Sequence, residues 1–138
     1  MDPAAIIFPA IALFFWTFAN GVRMARLRVG AVNRREIPLG YYELYEGTET
    51  PAVRLASRHV QNLFEVPPLF YVVVLFLYVT GSVGPVAVGL AWAYVALRVV
   101  HTFVHLGTNV VPRRLAVFAL SNFVLAGLWV LLLVAVLR

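Results

Sequence analysis

Four long apolar runs, separated by polar breaks, set the pattern of this chain. The first, Ala4 to Val22, is interrupted only by Thr17, Asn20 and Gly21. At about 1.5 Å of rise per residue it matches one bilayer thickness as a helix. Arg23, Arg26 and Arg28 follow at once, so the first helix is expected over 4–28. It opens with Met1-Asp2-Pro3, without a basic leader region or a small-residue cleavage site, and is expected to be retained. A polar loop comes next, punctuated by Pro38-Leu39-Gly40 and by Gly47 to Pro51, and carrying Tyr41, Tyr42, Tyr45, Glu43 and Glu46.

The second helix is expected over 51–80, with Pro51 suited to a first turn. Val66 to Val79 alone is too short for a hydrocarbon core of about 30 Å, so the span must reach back past Glu65 to around Asn62. Pro67 and Pro68 remove two backbone donors and predict a kink. Gly81 to Pro85 is an uncharged turn. The third helix, 85–108, contains Arg98, His101 and His105. Pro112-Arg113-Arg114 forms a short basic connection into the fourth, 112–137, where Ser121 and Asn122 look like interhelical hydrogen-bonders.

Composition turns this pattern into a fold class. Of 138 residues, 62% are hydrophobic and 12% charged, whereas a soluble domain is roughly half apolar and a quarter charged. A chain this small cannot bury such an excess in its own interior. The expectation is an all-α integral membrane protein, a single four-helix bundle over 1–138 with no internal repeat and no second domain. The net charge of +5 comes from arginine, with no lysine. Arginines beside membrane spans set topology and meet anionic lipid, which leaves no case for nucleic acid. Apart from Arg98 and Arg138, every arginine lies on the side of the first and third loops. Those loops are expected in the cytoplasm, with both termini outside, in a bacterial inner membrane. The absence of cysteine removes disulfides, thiolate metal sites and a cysteine nucleophile.

Candidate chemistry sits where the spans carry polar side chains. Arg58, Asn62 and Glu65 share one helical face at i, i+4 and i+7, and Arg98, His101, His105 and Asn109 share another. In a hairpin turning near 81–82, Glu65 should meet Arg98, Asn62 should meet His101, and Arg58 should meet His105. This layer falls in the cytoplasmic quarter of the core. An unpaired charge there costs several kcal/mol, so Glu65 and Arg98 are expected to pair. A structural ion pair needs two residues; a layer of six implies a polar ligand. His101 and His105, with His59, have the residue type for metal or haem, but an arginine shares their face and no carboxylate is spare. No metal is expected, and His59 reads as a packing residue. Nothing continues the layer outward as an ion path. An anion entering from the cytoplasm suits the arginines best.

These residues resemble the MAPEG superfamily, the membrane-associated proteins of eicosanoid and glutathione metabolism. The family's second-helix motif, Arg-x-x-x-Asn-x-x-Glu and then Pro, is matched by Arg58, Asn62, Glu65 and Pro68. The segment from Arg98 through His101 and His105 to Gly107, with Pro112 and Arg114, is similar to the third-helix region of the prostaglandin E synthase type. The resemblance implies a homotrimer holding glutathione between subunits, through Arg58, Asn62, Glu65, Arg98 and His101 and an arginine at the end of the first helix, best matched by Arg26, with Arg23 the alternative. Arg114 would then stabilise the glutathione thiolate and His105 would handle a proton. His105 stands where the family has tyrosine, and Leu115 where the prostaglandin synthase type has serine. The function so implied is a glutathione- or thiol-dependent transferase or peroxidase acting on lipophilic small molecules. The alternative is a non-catalytic trimer binding an anionic lipid or metabolite in the same layer.

Overall fold

The computed structural model describes residues 2–137; Met1 and Arg138, the terminal arginine of the charge pattern, lie outside them. A short 3-10 turn, Pro3–Ile6, is capped by Asp2, whose carboxylate accepts from the Ala4 amide at 2.9 Å. It leads into α1 (Ile7–Asn33). The remaining helices are α2 (Tyr41–Leu44), α3 (Pro51–Glu65), α4 (Pro67–Val79), α5 (Pro85–Leu106) and α6 (Val111–Val136). Counting α3 and α4 as one span, four helices are long and apolar enough to cross a membrane. The chain is an all-α membrane protein.

Helix ends follow local chemistry. α1 runs past Arg28 to Asn33 because arginine is a good helix former and nothing breaks the turn. It stops where Arg35 turns left-handed, φ 57°, and the Glu36 amide reaches back to the Ala31 carbonyl at 2.9 Å. Arg34 then clasps Glu36 and holds its carboxyl below the usual carboxylate range through that hydrogen bond. Thr50 caps α3 through its hydroxyl, with Pro51 in the first turn. Gly107 ends α5. A Cβ there would lie 2.6 Å from the Phe103 carbonyl oxygen, so only glycine fits the bend.

The expected kink in the second span is a full break. α3 ends at Glu65, Val66 stands between, and α4 restarts at Pro67. Two consecutive prolines take two donors from the helical ladder, and the chain resumes with Leu69 donating to Val66 at 3.0 Å.

α5 lies along α6, α1 packs on α3 and α5, and α4 packs on α6. Phe70, Val73 and Leu77 of α4 meet Ala87, Ala91 and Tyr94 of α5 and Leu125 and Leu128 of α6 in one apolar core. Phe70 stacks on Tyr94 with ring centres 4.6 Å apart. Lipid is as apolar as leucine, so such a core holds by close packing and a few polar ties rather than by transfer from water. One tie joins α1 to α5: the Trp16 indole donates to Thr102 Oγ1 at 3.0 Å. Ser121 bonds the Phe118 carbonyl of its own helix and makes no interhelical bond, contrary to expectation.

Candidate functional site

α3 is the amphipathic member of the bundle. Its buried face carries Val53, Ala56, His59, Val60 and Leu63. Arg58, Asn62 and Glu65 form a stripe on the flank of that face, with Arg58 and Glu65 exposed and Asn62 half-buried. That offset decides which side chains meet. Facing it, α5 buries Arg98, His101, Thr102 and His105.

Arg98 is fully buried. Its Nε donates to the Tyr94 hydroxyl at 3.0 Å and its Nη1 to Asn62 Oδ1 at 3.2 Å. The guanidinium lies 5.2 Å from the ring centres of both Tyr94 and Phe118. Its Nη2 is buried with no partner. The expected Glu65–Arg98 ion pair is therefore absent. Glu65 accepts from Gln61 at 3.1 Å, and the one ion pair among the described residues is Arg34–Glu36. Depth is not the reason, since Asn62–Arg98 and Phe70–Tyr94 both fall within a turn of the expected level. Glu65 lies round the helix from Asn62, at the end of α3 just before the break, and so turns outward.

A cavity of about 370 Å³ opens beside this cluster. Arg58, Gln61, Asn62 and Glu65 of α3 form one wall. His101 and His105 of α5 form the second, and Val111, Arg114, Leu115 and Phe118 of α6 the third. Six of the eight residues singled out from sequence, Arg58, Asn62, Glu65, His101, His105 and Arg114, line it together. Arg98 stands behind Asn62 and reaches the cavity through it. Arg26 does not join; it is exposed on α1, whereas Arg28 of the same helix donates to Ser57 Oγ of α3 at 3.0 Å. Arg114 is oriented by Asn109, whose Oδ1 accepts from Nη1 at 2.8 Å across the bend between α5 and α6.

His59, read from sequence as a packing residue, is buried beside the two histidines of α5. Its ring centre lies 5.2 Å from that of His105 and 6.2 Å from that of His101. Both His59 ring nitrogens, and Nδ1 of His101 and of His105, are buried without partners. Each such atom costs about 1–3 kcal/mol unless something meets it. The signal was present: His59 keeps phase with Val53, Ala56 and Leu63, the stripe that must face the bundle. Phe118 was missed because it belongs to no polar stripe, and Gln61 was missed although its spacing from Arg58 and Glu65, i+3 and i−4, puts it on their side of α3.

A second cleft of about 640 Å³ runs between α1 and the second span, lined by Phe14, Phe18, Gly21, Leu63, Phe64 and Tyr71 among others. It is apolar and shares no residue with the polar cavity.

No curated protein and no solved structure matches the chain. Its sequence does match the MAPEG family, over residues 6–134. Four spans and a match running from the start of α1 to the last turn of α6 lead to one conclusion: the chain belongs to the MAPEG family.

Proposed function

We propose that the polar cavity binds glutathione or a similar anionic thiol and delivers its thiolate to lipophilic electrophiles or hydroperoxides arriving through the bilayer. The observation that carries this reading is Arg98: a fully buried arginine in a membrane span, paired only with neutral groups, behind a cavity that also carries Arg58 and Arg114. A buried cation without a counter-charge is expensive, and an anionic ligand offsets that cost. Glu65 is the one acid on the cavity and suits the ammonium of a γ-glutamyl peptide. Arg114, steadied by Asn109, favours sulfur in its anionic and nucleophilic form. His105 lines the same wall and serves as proton donor or acceptor, while Val111, Leu115 and Phe118 supply the apolar side that a lipophile needs.

A homotrimer belongs to this reading. Arg58, Gln61 and Glu65 are exposed along a membrane-embedded helix, and facing them to lipid would be costly. A neighbouring copy covers them, and Arg26, exposed on α1, is then free to reach the adjacent copy's cavity. The arginine-bearing loops and the cavity face the cytoplasm, with both termini outside, in a bacterial inner membrane.

The test is turnover of a chlorodinitrobenzene-type electrophile and of a lipid hydroperoxide with glutathione. Arg114→Ala is expected to lower kcat/KM by about 100-fold or more and to abolish the ultraviolet absorbance of bound thiolate, while glutathione still binds. Tight glutathione binding with no turnover by the wild type would favour the second reading, a non-catalytic receptor for an anionic lipid or metabolite. Failure to bind glutathione would remove the thiol reading.

A further inference from the structure

We propose that His59, His101 and His105 form a binding site for one divalent transition-metal ion of the zinc class per chain. Each offers a ring nitrogen, and the three nitrogens lie within 4.8 Å of one another. A tetrahedral ion with metal–nitrogen bonds of about 2.0–2.1 Å requires ligand nitrogens about 3.3 Å apart. Closing the site brings the nitrogens together by at most about 1.5 Å, a distance that rotation of the side chains can supply. His101 and His105 are one turn apart on the same face of α5, and His59 meets them from the buried face of α3. The three side chains thus come from two packed helices, which hold them at a fixed separation.

Burial and hydrogen bonding point the same way. All three histidines are at most 6% exposed. Histidines kept for packing normally satisfy their nitrogens with a carbonyl, hydroxyl or carboxylate. Here both nitrogens of His59 and Nδ1 of the other two have no such partner. Three imidazoles with a nitrogen each in one cluster, and no acid among them, suit an ion that prefers imidazole over oxygen ligands and exclude magnesium and calcium.

The arginines set the terms of binding. Arg98 engages Tyr94 and Asn62 one turn along α5, and Arg58 and Arg114 share the cavity that His101 and His105 line. A bare dication among these charges is disfavoured, so the ion enters with an anion on its fourth, cavity-facing position. Hydroxide or a thiolate fits that role. From the chain the site needs only the three imidazoles, and hydroxide from water suffices as the fourth ligand, so it stands independently of the thiol reading; glutathione binding to metal-stripped protein is a separate measurement that can fail without affecting it.

The test uses the full chain in detergent, stripped with a chelator and equilibrated with cobalt(II) chloride. Expected is one cobalt per chain with the intense visible bands of a four-coordinate ion, displaced by zinc. His59→Gln, His101→Gln and His105→Gln are each expected to lose stoichiometric uptake, with helical circular dichroism and elution volume confirming the fold. X-ray absorption on the cobalt-loaded wild type counts the imidazole ligands without any variant. Three are expected. A smaller number, no uptake by the wild type, or full uptake by folded His59→Gln overturns the proposal.

Discussion

Arg98 shows what residue-level reasoning can and cannot reach. Its presence in an apolar run, and the level at which it would find partners, are legible from spacing alone. Its partner is not, because a helical face identified by i, i+4, i+7 spacing says which residues share a side without saying which way that side points. The Arg58–Asn62–Glu65 face flanks the buried face of α3, so Asn62 reaches Arg98 and Glu65 does not. The consequence is testable by double-mutant cycle. Arg98→Leu and Asn62→Leu should be coupled by about 0.5–3 kcal/mol in unfolding from detergent, whereas Glu65→Gln and Arg98→Leu should be additive in the monomer. Coupling in the second pair and none in the first would reverse the assignment.

At the scale of elements, the four spans and their approximate limits follow from hydropathy, proline and glycine. Two features escaped because they depend on backbone geometry. One is the complete interruption at Val66, where two prolines in succession do more than bend the helix. The other is the tight passage from α5 to α6, where the Gly107 amide donates to Phe103, the Asn109 amide donates to Val104, and Asn109 takes φ 48°. The first of these positions leaves no room for a side chain. Gly107→Ala should therefore force the passage open, lowering thermal stability by about 1–3 kcal/mol. It should also weaken thiol binding, because Arg114 is held from the same bend by Asn109. A stability and an affinity both equal to those of the wild type would show that the bend tolerates a Cβ.

For the whole molecule, α3 divides a polar cavity, shared with α5 and α6, from an apolar cleft on the α1 side, and the two have no lining residue in common. If the homotrimer proposed above covers the exposed charge on α3, light scattering in detergent should return three chains per particle. Glu65→Leu and Arg58→Leu together should leave that number unchanged while abolishing glutathione binding. A stable monomer with full binding would show that a single chain is sufficient. One consequence follows from Arg98 having only uncharged hydrogen-bond partners. In the orientation proposed, a lone positive charge sits part-way across the electric field of an energised cell, where a complete crossing is worth about 2.3 kcal/mol per 100 mV. An anion moving in from the negative side to sit against it travels down its own electrical gradient. In that orientation, loading of the pocket by such an anion would be voltage-sensitive, easier in a polarised cell and harder once the potential collapses.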